Sequence, residues 1–162
     1  MRSKIITKIA LVAALYAVIT IVLAPISYDN IQVRISEALT LLPFFMGYKA
    51  AVGLWIGCMI ANIYGGLGLI DIIFGALLTL IAGIFTARAR SIYTGGIYPV
   101  LFNAFGVGLI LKYVLDLPIP YYQLVISVGI GELISVYVIG VPLMKLINKK
   151  IDLNDGSTDS RG

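Results

Sequence analysis

Histidine is absent from this chain, cysteine occurs once, and charged side chains make up only 12% of the 162 residues. Each shortage excludes something. Without histidine there is no imidazole general base, no Ser-His or Cys-His couple, and none of the commonest transition-metal ligand. The lone Cys58 cannot close an internal disulfide, and its apolar neighbours make it a small core residue. No G-x-x-x-x-G-K-[ST] run occurs, so the chain has no P-loop for a nucleotide. The charges are also too few to cover the surface of a soluble domain of this length.

What is present is apolar. Hydrophobic residues make up 60% of the sequence, and the mean hydropathy is +1.01. The bilayer is the natural solvent for such a chain. A first apolar run covers 5–26 and stops at Pro25 and the polar stretch "SYDNIQVR". It is longer than the apolar core of a signal peptide and no A-x-A site follows, so it is expected to remain as a helix. Further apolar segments cover about 36–46, 49–64, 67–87, 96–115 and 121–147. A spanning helix needs roughly 20 apolar residues. The second segment is too short for that and is expected to be a short or irregular helix covered by its neighbours.

Charge supplies an orientation. With six spans and the N-terminus inside, Arg2, Lys4, Lys8, Lys49, Arg88, Arg90, Lys145, Lys149, Lys150 and Arg161 fall on the inner side, and only Arg34 and Lys112 on the outer. That asymmetry follows the positive-inside rule. The expectation is an all-α integral membrane protein of the cell membrane, a six-transmembrane-helix bundle with both termini cytoplasmic. Residues 1–150 form the bundle and 151–162, "IDLNDGSTDSRG", a disordered polar cytoplasmic tail. No internal repeat is evident. The net charge of +4 suits anionic lipid heads rather than nucleic acid.

Few polar groups lie at membrane depth: Glu37, Asn62, Asp71, Asn103, Lys112 and Glu132. A central charge costs about 2.5–3.5 kcal/mol on insertion scales, so each must face protein, water or ligand. Asp71 and Asn62 flank the turn "IYGGLGLID" and could cap it. Lys112 could snorkel outward, and Asn103 could join helices. Arg34 and Glu37 could form an interfacial pair. Glu132 resists such accounts: it lies 11 residues past Tyr121, about 16 Å along its helix, where a carboxylate cannot snorkel. Trp55, Met59 and Asn62 share a helix face by spacing; Trp55 is too deep for an interfacial belt and either packs a core or stacks on a planar ligand. Small residues recur at four-residue spacing as Ala10/Ala14, Ala13/Ala17, Gly53/Gly57/Ala61 and Gly75/Thr79/Gly83, a pattern that lets backbones approach.

Taken together, these features resemble the S component of an energy-coupling factor (ECF) transporter. More narrowly, "VRISEALTLLPFF" followed by "GLWIGCMIANIYGGLGLIDIIFGALLTLIAG" is similar to the QueT group, associated with uptake of queuosine precursors. The resemblance covers about residues 8–147. It implies a membrane-embedded substrate-binding subunit, not an enzyme, with no catalytic residues, metal or cofactor of its own. Its partners would be a transmembrane coupling subunit and two cytoplasmic ATPases that use the ATP. The subunit would topple in the membrane to release substrate, docking through Ala10, Ala13, Ala14 and Ala17. The implied substrate is a 7-deazaguanine, such as 7-aminomethyl-7-deazaguanine or queuine. Such a ligand offers adjacent N–H donors, which a carboxylate binds bidentately, and a flat ring on which an aromatic side chain stacks. Arg34, Glu37, Trp55, Asn62, Asp71, Asn103 and Glu132 supply groups of those kinds. Rival readings are a stand-alone secondary transporter with Glu132 as proton relay, an intramembrane enzyme, and a scaffold subunit without ligand. A single aspartate at membrane depth provides no aspartyl dyad, and a scaffold predicts dispersed rather than convergent polar groups.

Overall fold

A computed structural model describes residues 2–27 and 34–150. The expected tail, 151–162, lies outside the described residues. Among these residues there are helices and no strands. In chain order they are α1 (Arg2–Val22), α2 (Ala24–Ser27), a 3₁₀ helix (Ile35–Leu41) that continues as α3 (Leu42–Met46), α4 (Tyr48–Gly65), a π-helical turn (Asp71–Gly75) leading into α5 (Ala76–Ala87), α6 (Ile92–Tyr113), and α7 (Tyr121–Leu133), which passes through a π-helical stretch (Ile134–Gly140) into α8 (Val141–Lys150). Three segments are long and apolar enough to cross a membrane: Ser3–Val22, Ile92–Tyr113 and Tyr121–Lys150. The apolar helices Ile35–Met46 and Asp71–Ala87 are shorter.

Local chemistry sets the breaks. Gly47, at φ +67°, separates α3 from α4, and Gly66, at φ +69°, ends α4 with its N–H on the Asn62 carbonyl. Both have a positive φ that glycine adopts without strain, and Gly66 is the left-handed C-cap of α4. Ser91 opens α6 with a reciprocal capping box to Thr94. Within α6, Pro99 has no N–H to offer the carbonyl four residues earlier, that of Gly95. The Thr86 hydroxyl, from α5, donates to that carbonyl at 2.9 Å, so the buried acceptor is satisfied from the neighbouring helix.

Glycines set the helix contacts and reveal their directions. A Cβ on Gly53 would lie 2.8 Å from Ile9 O and from Val12 Cβ, and one on Gly57 would lie 2.6 Å from Ala13 O. Helices α1 and α4 therefore run in the same direction at close approach. Gly83 meets Ala51 while Gly75 meets Asn62, so α5 runs antiparallel to α4. Gly106 against Leu78, and Gly108 against Val125, continue the alternation through α6 and α7. The small-residue stripes of α4 and α5 are packing seams inside the bundle.

One end of the bundle is basic. Arg88 Nε donates to Tyr48 Oη at 2.7 Å, and Lys145 Nζ to Tyr93 Oη at 2.7 Å, which joins the helix ends bearing Lys49, Arg88, Arg90 and Lys145. The core lies around the 35–46 segment, where Leu39, Leu41, Leu42 and Phe45 pack with Tyr16, Leu54, Cys58, Val136 and Met144. Outward surfaces carry large apolar side chains such as Leu11, Val18, Ile63, Phe74, Phe105 and Val138. An apolar patch this extensive needs a lipid or protein neighbour.

Candidate functional site

In a 3₁₀ helix, residues three apart eclipse one another. That geometry puts Arg34, at the start of the 35–41 helix, and Glu37, one turn on, toward the same face; the Glu37 N–H closes on the Arg34 carbonyl at 2.9 Å. Both side chains are buried. Arg34 Nη1 donates to Asn62 Oδ1 at 3.2 Å, and Asn62 Nδ2 donates to the Asp71 carbonyl at 2.9 Å. Asn62 thus braces the turn between α4 and the π-helical turn and also receives the arginine. Tyr16, from α1, donates its hydroxyl to Glu37 Oε1. On the other side, Asn103 Nδ2, from the middle of α6, donates to Glu132 Oε1 at the end of α7, at 2.9 Å.

These groups surround one cavity. Arg34, Glu37, Asp71, Asn103 and Glu132 line it with Gly75, Thr79, Val107 and Val128. The cavity is small, with about 10 Å³ open to the centre of a water molecule. Both π-helical segments adjoin it: Asp71 begins one, and Glu132 stands two residues before the other. Such insertions turn a side chain off its regular helical face and recur at functional sites.

The hydrogen bonding is incomplete in a consistent way. Glu37 Oε2, Asp71 Oδ2 and Glu132 Oε2 are buried without a hydrogen-bond partner among the described residues. A buried polar atom left unpaired costs about 1–3 kcal/mol, more if charged. Three such acceptors around one cavity, with one guanidinium beside them, call for a ligand rich in N–H donors. Among the described residues the acidic side chains form no metal-holding group.

Not every candidate faces the cavity. Asn62 is joined to it through Arg34 and Asp71. Trp55 is half-buried and packs against the hydrophobic core, outside the lining. Lys112 reaches the Leu117 carbonyl at 3.0 Å, past the end of α6, and takes no part. On α1, Ala13 and Ala17 are buried within the chain, while Ala10 and Ala14 are exposed beside Leu11, Leu15 and Val18. Reading charged and amide groups alone overlooks Tyr16, whose phenol is fully buried mid-helix. A hydroxyl at that depth needs a partner, and that requirement is the signal that could have found it. Thr79 likewise appears in the sequence only as a small residue in a packing stripe.

The family model of the QueT transporter matches residues 6–149, nearly the whole chain. The chain belongs to the QueT transporter family. A member from Lactococcus lactis subsp. cremoris (strain MG1363), described as queuosine precursor transporter QueT, is 32% identical over 165 aligned positions. The alignment covers 92% of this chain and 95% of that relative. No solved structure matches the chain. Transport is not an enzymatic activity, and the long apolar helices are those of a membrane protein, as the QueT assignment requires.

Proposed function

We propose that this chain is the membrane-embedded substrate-binding subunit of an ECF transporter and that it imports a queuosine precursor of the 7-deazaguanine class. The observation that carries the reading is the set of three buried carboxylates around a single cavity, each with one oxygen unpartnered among the described residues. A 7-deazaguanine matches this set. Its adjacent ring and exocyclic N–H groups suit one carboxylate bidentately, its carbonyl suits Arg34 or an asparagine amide, and an aminomethyl substituent brings an ammonium to a second carboxylate. The Lactococcus relative, described as a queuosine precursor transporter, points to the same substrate group. A flat bicyclic ligand needs more room than about 10 Å³, so binding requires the lining to move apart.

Six crossings with both termini in the cytoplasm accord with the alternating helix directions and with the basic end of the bundle. Energy comes from two partner ATPases through a coupling subunit, since the chain has no nucleotide-binding loop. The docking face is the exposed part of α1, Ala10 and Ala14, because Ala13 and Ala17 are occupied inside the chain.

Titration calorimetry on the purified chain with 7-aminomethyl-7-deazaguanine, queuine and the nitrile form tests the substrate class. Saturable binding of at least one of the three is expected. A protein that ignores all three and instead retains riboflavin, thiamine or biotin would lose the substrate assignment but remain a candidate binding subunit. Uptake in vesicles that follows a proton gradient without any ATPase would replace the ECF reading with a secondary transporter.

A further inference from the structure

A second cavity, of about 380 Å³, lies at the basic end of the bundle between the start of α4 and the loop joining α5 to α6. Phe44, Gly47, Tyr48, Ala87, Arg88, Ala89 and Arg90 line it. We propose that it binds the phosphate of an anionic lipid headgroup, held by Arg88 and Arg90 with Tyr48 as the positioning residue.

Four observations support this assignment. First, the cavity is lined by two arginines and no acidic residue; Glu37, Asp71 and Glu132 surround the other cavity. Second, Arg88 is held by Tyr48. Its Nε donates to Tyr48 Oη at 2.7 Å, and its guanidinium carbon lies 5.5 Å from the centre of the Tyr48 ring. Both contacts leave the two terminal nitrogens to meet a phosphate in the forked geometry that arginine favours. Third, the position suits a headgroup. The cavity sits where α4 and α6 begin and α5 ends, at the basic end of the bundle, which the proposed orientation sets at the cytoplasmic headgroups. Phe44, half-buried, and Ala87 supply apolar surface alongside the charges. Fourth, the room is sufficient: about 380 Å³ is open to the centre of a water molecule, where roughly 10–15 Å³ already holds one water. Basic pockets between membrane helices hold anionic lipids on this chemistry. The site is separate from the carboxylate-lined cavity, so it stands whatever ligand that cavity takes.

Native mass spectrometry of the full chain in detergent, with phosphatidylglycerol and phosphatidylcholine added in equal amounts, tests the proposal. Preferential retention of phosphatidylglycerol is expected. Arg88→Gln lowers that retention roughly fivefold, the factor for one basic residue near an anionic surface. Tyr48→Phe keeps every charge and the ring but removes the hydrogen bond that orients Arg88, and it also lowers retention. Lys149→Gln, at the same end but outside the cavity, leaves retention near the wild-type level. Equal retention of the two lipids overturns the proposal. So does a Tyr48→Phe variant that behaves as wild type while Lys149→Gln matches Arg88→Gln, since that pattern means diffuse attraction without a site. Inorganic phosphate and glycerol 3-phosphate form the last arm: displacement of the lipid by either at millimolar concentration would reassign the cavity to a soluble phosphate.

Discussion

Asn103 and Glu132 meet across the α6–α7 interface, the amide donating to one carboxylate oxygen at 2.9 Å while the other oxygen has no partner among the described residues. The pair fixes the orientation of Glu132 and leaves one acceptor on the cavity. Glu132→Gln keeps the shape but replaces an acceptor oxygen with an N–H₂ donor, which opposes a ligand N–H. Loss of a charge-assisted hydrogen bond costs about 1.5–3 kcal/mol, or roughly 10–100-fold in affinity. Calorimetry on the folded variant measures this. An unchanged dissociation constant would remove Glu132 from the binding site and leave Glu37 and Asp71 as its carboxylates.

Tyr16 makes a different contribution. Its hydroxyl, reaching across from α1, donates to Glu37 Oε1 within the hydrophobic core. Tyr16→Phe retains the ring packing and removes only that donor, so Glu37 Oε1 loses the phenol hydrogen bond. The expected cost is about 1.5–3 kcal/mol of stability, read as a lower midpoint in a thermal melt. In a Glu37→Leu background the same change has nothing left to remove and costs little. A cost that persists there would assign the loss to packing rather than to the hydrogen bond.

The polar residues were legible in the sequence because the bilayer makes charge conspicuous. Glu37, Asp71, Asn103 and Glu132 interrupt apolar runs, and each is found on the cavity wall. Helical spacing is less informative about which neighbour a face meets. Trp55 shares a stripe with Asn62 by spacing, yet the tryptophan packs on the core and the asparagine bonds Arg34. The alanines of α1 form two stripes one residue apart, and only the close approach of Gly53 and Gly57 selects Ala13 and Ala17 as the buried one. The π-helical segments left no trace, because an extra residue in a turn alters hydrogen-bond register without altering composition.

The orientation of the chain is testable by cysteine labelling in intact cells. Cys58 is buried and should stay silent. With the basic end in the cytoplasm, Ser27→Cys reacts with a membrane-impermeant maleimide from outside, and Ser3→Cys reacts only after lysis. External labelling of Ser3→Cys would rule this orientation out.

Substitutions on α1 and its neighbour should separate packing from docking. A Cβ on Gly57 meets the Ala13 carbonyl at 2.6 Å and Tyr16 Cβ at 2.9 Å, and the backbone atom cannot swing aside. Gly57→Ala should therefore destabilise the protein by about 1–3 kcal/mol through overpacking and weaken ligand binding by disturbing Tyr16. Ala14 is exposed, so Ala14→Trp should leave the thermal midpoint and ligand affinity near wild type while blocking uptake by the assembled transporter. Full uptake by Ala14→Trp would mean that this face meets lipid.

Thr86 and Pro99 offer a test of how the helices are held together. Proline at position 99 deprives the Gly95 carbonyl of its helical donor, and the Thr86 hydroxyl supplies a replacement at 2.9 Å. Thr86 and Pro99 are both fully buried, and water does not substitute readily. Thr86→Val keeps the shape of the side chain but leaves that acceptor unpaired, for an expected loss of about 1–3 kcal/mol in stability. Pro99→Ala restores an N–H four residues after Gly95, so in that background Thr86→Val should cost distinctly less. Thermal melts of the wild type, the two single variants and the double variant give the coupling directly. If Thr86→Val costs the same with alanine at 99 as with proline, the threonine acts through packing alone and the carbonyl does not depend on it.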